Sequence, residues 1–81
     1  MATNTFHIII ASVGVTLFDA AAESAILPGT DGLFTILPHH EPFVTILKKG
    51  NVRVRASGEQ KEFPIEGGLV ECSGNRAVVL L

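Results

Sequence analysis

The side chains able to do chemistry gather in one stretch of this sequence: His39-His40-Glu41 stands between Pro38 and Pro42, and Asp31 lies shortly before it between Thr30 and Gly32. Imidazole and carboxylate are the usual ligands of zinc or iron and the usual carriers of protons. A metal site would draw on His7, His39, His40 and Glu41, with Asp31 as a further source of a third ligand. The spacing argues against it. Neighbouring residues in an extended chain point to opposite sides, so His39 and His40 do not readily share one ion. A loop of exposed polar side chains is the plainer reading.

Other chemistries find less support. No glycine-rich loop runs into Lys-Ser or Lys-Thr, so a phosphate cradle has no basis. The serines and Thr45 have no His and Asp partners recognisable by spacing. Cys72 alternates with Val70 in a strand-like run, where burial raises a thiol's pKa and quiets it. Lys48, Lys49, Arg53 and Arg55 form a basic stripe, but without Trp or Tyr to stack bases it reads as a solvated strand face.

The elements that must position the polar stretch are short strands. Phe6 to Ala11 is rich in β-branched residues, and Val15 to Phe18 returns as its hairpin partner, with Asp19 as its end. The alanine-rich run from Ala20 to Ala25 is too short for a stable helix and reads as a strand entering the first loop, Pro28 to Gly32. Leu33 to Leu37 is a strand between that loop and the second, Pro38 to Pro42; the two loops share one end only if the chain folds back between them. Phe43 to Leu47 is a short apolar piece whose second half has room for one helical turn, and Lys48 to Asn51 reads as a turn.

Beyond it the alternation is clear. Val52, Val54 and Ala56 share one face and Arg53 and Arg55 the other; after a hairpin turn from Ser57 to Gln60, Phe63 and Ile65 face inward, with Pro64 suited to an edge. Gly67-Gly68 is a bend, Leu69 to Ser73 a strand, Gly74-Asn75 a tight turn, and Arg76 to Leu81 the last strand. Eight or nine short strands at hairpin spacing predict an all-β fold, an antiparallel sandwich or flattened barrel. Phe6 to Ala11 and Ala77 to Leu81 are apolar at consecutive positions, so both faces of each call for cover, from loops or from another protein.

Size and composition set bounds. The 81 residues make one domain, burying roughly 60 to 65% of the unfolded surface, which leaves little room for a deep substrate cavity. A hydrophobic share of 47% against 17% charged residues, and a mean hydropathy of +0.43, are high for a free-standing domain and point to a partner. A net charge of -2 provides no field for nucleic acid. A single cysteine excludes an intrachain disulfide and fits a reducing compartment. No apolar run approaches the roughly 20 residues of a membrane span, and the start from Met1 to Thr5 lacks the positive region of a secretory signal.

Three motifs in order then carry a resemblance. Leu27-Pro-Gly-Thr-Asp-Gly-Leu-Phe-Thr-Ile-Leu-Pro-His-His-Glu-Pro-Phe43, Lys49-Gly-Asn-Val-Arg-Val54, and Ile65-Glu-Gly-Gly-Leu-Val-Glu-Cys-Ser-Gly-Asn75 with Val78-Val-Leu80 closely resemble the N-terminal domain of the epsilon subunit of F-type ATP synthase. The match runs over nearly the whole chain from Phe6. It implies a flattened sandwich of about ten short strands in the central stalk, bound to the gamma subunit and seated on the c-ring. It implies a rotor part without catalytic residues, cofactor or metal, that couples proton transport to ATP synthesis. The c-ring-facing residues it implies are Thr30, Asp31, Gly32, Leu33, His39, His40 and Glu41. The complex would hold the domain peripherally, on the cytoplasmic face of a bacterial plasma membrane or the equivalent side of an organelle membrane.

The chain departs from the family in three places. His39 replaces the glycine of the family's Pro-Gly-His step, and Leu33 replaces an acidic residue that some members present to the c-ring. The third is that the two helices usual after this domain do not follow Leu81, so no direct ATP binding is expected of these residues.

Overall fold

Alternation of apolar and polar side chains puts most of the chain into strands, and this computed structural model describes residues 4–81. Of the polar start from Met1 to Thr5, the first three residues lie outside the described ones. The strands are β1 (Phe6–Ser12), β2 (Val15–Ala22), β3 (Ser24–Gly29), β4 (Gly32–Ile36), β5 (Phe43–Ala56), β6 (Glu59–Ser73) and β7 (Arg76–Leu80). Among the described residues there is no helix, and so none long and apolar enough to cross a membrane.

One sheet runs β2-β1-β7-β6-β5-β3-β4 and folds over on itself without closing. All pairs are antiparallel except β1 with β7, which join the two ends of the chain in parallel. The long ribbon of β5 and β6 belongs to both layers. Its Phe43–Leu47 and Leu69–Ser73 portion extends the layer of β7, β1 and β2, while Val52–Ala56 and Glu59–Glu66 extend that of β3 and β4. Ile8, Ile10, Val70 and Val79 from the first layer and Leu27, Ile36, Val52 and Val54 from the second form one core from which water is excluded. That burial is the main favourable term in folding. Phe18 of β2 meets Phe63 of β6 with ring centroids 5.7 Å apart.

The all-β sandwich expected from the sequence is present, with fewer and longer strands. Lys48 to Asn51, read as a turn, continues β5: Lys48 pairs with Gly67, Gly50 with Ile65 and Asn51 with Pro64. The inward residues change from odd positions (Phe43, Thr45, Leu47) to even ones (Val52, Val54, Ala56), so the polar stretch between is where the ribbon turns over between layers. Both its faces are wet there, which mimics turn composition. The second half of Phe43 to Leu47 is strand, not a helical turn, and β2 runs past Asp19 to Ala22 because Ala20 and Ala22 still pair with β1. Gly67-Gly68 bends the chain inside β6 without ending it.

Other readings hold locally. Gly74 and Asn75 both take φ of 59°, the backbone of a two-residue hairpin turn, and Pro64 lies on a part of β6 paired only by β5. Cys72 is buried, and burial pushes its thiol pKa up.

Candidate functional site

Two surfaces emerge from this fold. The first is the end where the loops meet. Gly29 pairs with Gly32 across the Thr30-Asp31 turn, and the Thr30 N–H donates to the Ile46 carbonyl at 3.2 Å, which ties the turn to β5. The second loop, residues 37–42, returns the chain from β4 to the start of β5. Its His40 N–H donates to the Leu37 carbonyl, His40 Nδ1–H donates to the Glu41 carbonyl at 2.8 Å, and the imidazole lies edge-on to Phe43 at 4.9 Å. Phe43 in turn meets Phe34 at 5.7 Å, nearly perpendicular.

Between the loops lies an open hollow of about 360 Å³ with Phe34 and Phe43 in its wall and Asp31, Leu33, Thr35, His40 and Thr45 around it. The fold-back needed to bring the loops together is therefore made. Asp31, Gly32, Leu33 and His40 share this hollow, while Thr30, His39 and Glu41 are exposed beside it. Leu33 is 73% exposed and gives the turn an apolar tip.

The residue that holds the second loop was not evident from spacing. Asn75, in the β6–β7 turn, accepts the His39 N–H through Oδ1 at 2.7 Å and donates from Nδ2 to the Thr5 carbonyl at 2.9 Å. Its own carbonyl accepts the His7 N–H. One side chain thus clasps the loop to the start of β1. Asn75→Ala is expected to cost about 1–3 kcal/mol by leaving these groups unpaired and by placing alanine at positive φ. Urea unfolding checks the cost, and hydrogen exchange at His39 and His40 checks that the loop is released.

His39 itself has a φ of 65°, in the left-handed region that favours glycine. His39→Gly relieves about 1–2 kcal/mol of strain against an entropic cost of about 0.5–1 kcal/mol. A net gain near 0.5 kcal/mol is expected, read as a higher melting temperature.

The metal reading does not survive. His7 of β1 is engaged by Asp19 of β2, and His40 turns its Nδ1–H to the Glu41 carbonyl. Among the described residues no group of three or more His, Cys, Asp or Glu side chains is placed to hold an ion.

The second surface is the outer face of the β5-β6-β7-β1 layer. Ile46, Leu69, Leu80 and Ala11 form one row in register, and Val44, Glu71, Val78 and Ile9 the next. Val44, Ile46 and Leu80 are 62%, 60% and 52% exposed. The apolar runs 8–11 of β1 and 77–80 of β7 thus lie side by side, with one face in the core and the other turned outward. Which residues form this surface follows from the register, which sequence spacing does not reveal.

Comparison with known proteins agrees with this architecture. The family model for the ATP synthase delta/epsilon chain β-sandwich domain matches residues 5–81. The ATP synthase epsilon chain of Chlorobium limicola is 45% identical over 64 residues, covering 78% of this chain and 73% of that one. Two solved structures share the fold at low identity. A chain of the Euglena gracilis mitochondrial ATP synthase, in a structure of OSCP, F1 and c-ring, has a TM-score of 0.89 at 15% identity, over 96% of this chain and 51% of that one. A chain from the central stalk and c-ring of the Tetrahymena thermophila enzyme has a TM-score of 0.76 at 12% identity, over 91% and 60%. This chain thus spans little more than half the length of those structural relatives. With a family match over nearly every residue and a close relative along most of its length, the chain belongs to the ATP synthase delta/epsilon family as its β-sandwich domain.

Proposed function

We propose that this domain is a non-catalytic rotor part of a proton-translocating ATP synthase, gripping the gamma subunit through its outer apolar face and seating its two-loop end on the c-ring. The observation that carries the reading is the uncovered apolar face made by Val44, Ile46, Leu69 and Leu80, on three neighbouring strands. Large contiguous apolar patches are rare on free-standing proteins and mark interfaces. A face of this kind suits a lasting contact such as that with gamma. The loop end is polar at Thr30, Asp31, His40 and Glu41, with Leu33 at its tip, and suits the polar loops of a ring.

In this role the domain makes and breaks no bonds. It transmits torque between gamma and the ring, and it lies at the membrane on the F1 side, held there by the complex.

Titration of the cognate gamma subunit into the purified chain tests the reading: binding in the micromolar range or tighter supports it, and no binding sinks it. Combining Asp31→Ala with His40→Ala is expected to weaken seating on the c-ring about tenfold with little change in stability, since loop-tip side chains contribute little to the core. Sedimentation with reconstituted rings measures this. Unchanged coupling in membranes carrying the double variant would argue against the loop assignment.

A further inference from the structure

The outer apolar face carries two carboxylates with different circumstances. Asp19, at its margin beside Ile9, is already in contact with His7 Nε2. Glu71 stands where the apolar rows meet the polar row of Ser73, Arg76 and His7. Its register neighbours are Val44 and Val78, and the next row holds Ile46, Leu69 and Leu80. Glu71 is exposed, and the ion pairs among the described residues, His7–Asp19, Arg53–Glu62 and Lys61–Glu59, do not include it. Beside it opens a shallow hollow of about 240 Å³, lined by Glu71, Ser73, Arg76 and Val78.

A carboxylate in water among valines costs nothing while the face is bare. Once a partner covers the face, that carboxylate loses its water, and an unpaired buried charge is strongly unfavourable. We propose that the partner covering this face brings a basic side chain, arginine in preference to lysine, into the hollow beside Glu71. Arginine suits the place because its planar fork can pair with a carboxylate through two N–H groups and still donate to the Ser73 hydroxyl. Glu71 then selects the partner: an apolar element without a cation at that point is rejected by the uncompensated charge. The inference rests on the reading that gamma covers this face.

Substitution of Glu71 separates this from a plain hydrophobic contact, because the two accounts give opposite signs. Calorimetric titration of the cognate gamma subunit would compare the unaltered chain with Glu71→Val, Glu71→Gln, Arg76→Gln and, as a control on the other layer, Glu66→Gln. Valine is a strong strand former at an exposed strand position, so folding is retained, and melting curves check it. Glu71→Val and Glu71→Gln are each expected to weaken binding about 10- to 100-fold, because either leaves the partner's cation buried and unpaired. Arg76→Gln and Glu66→Gln should change it less than about threefold.

Tighter or unchanged binding of Glu71→Val would overturn the proposal. So would an Arg76→Gln loss equal to that of Glu71→Val, since the chain itself would then supply the counter-charge. Absence of gamma binding by the unaltered chain strikes at the functional reading and removes this inference with it; binding indifferent to Glu71 strikes at the inference alone.

Discussion

Gly68→Ala is expected to lower the unfolding free energy by at least about 3 kcal/mol, a large part of what a domain of this size has. A Cβ at Gly68 would lie 2.5 Å from the Leu80 carbonyl oxygen and 3.1 Å from Leu81 Cδ2, with φ at +153°. Leu80 is the register partner of Leu69 and also pairs with Ala11, so its carbonyl cannot retreat without opening β7. Backbone strain of about 1–3 kcal/mol adds to the clash. Gly67 is the internal comparison: its φ is +150°, but the nearest atom to an added Cβ is the Leu47 oxygen at 3.5 Å. Gly67→Ala should therefore cost only the strain, about 1–2 kcal/mol. Urea midpoints at constant slope read both, and equal losses would refute the steric account.

Ile46→Asp is expected to abolish measurable association with gamma, weakening it at least about 100-fold, while leaving the domain folded. The side chain is 60% exposed and in register with Leu69, with Leu80 the next residue in its row, so the isolated domain loses little contact when it is replaced. Stability should fall by no more than about 1 kcal/mol, the span of strand propensities. In the proposed complex the same position is covered, and a carboxylate buried against apolar surface without a partner is among the costliest substitutions at an interface. Binding and melting measured on one sample distinguish the two effects. Retained affinity would place gamma on some other surface.

Much of the architecture could be read from local chemistry. The alternation of Val52, Val54 and Ala56 with Arg53 and Arg55 gave the inward face directly, and it is inward in the structure. Gly74-Asn75 announced a hairpin turn, and positive φ at both residues is what that turn requires. The turn assigned to Lys48–Asn51 failed for a physical reason. Composition reports exposure, and a two-stranded ribbon crossing between layers is exposed on both faces while its backbone remains paired. The clasp made by the Asn75 side chain was not legible, because its contacts reach 36 and 70 residues along the chain, beyond any local pattern. The place of Glu71 between Val44 and Val78 likewise follows only from register.

The opening histidines and carboxylates show the same division. By sequence alone, their spacing already spoke against a shared metal ion, the flanking Pro and Gly residues already made two loops of them, and three motifs in order already indicated the family. Side-chain direction in extended chain and turn preference are local properties, so they survive without a tertiary structure. Only the folded chain decided that Asp31, Leu33 and His40 meet around one hollow, that Asn75 clasps the loop bearing His39, and that apolar residues from four strands line up as an outer face with Glu71 among them. Those facts depend on strand order and register, which are set by long-range pairing and by burial of one face of each strand in a common core.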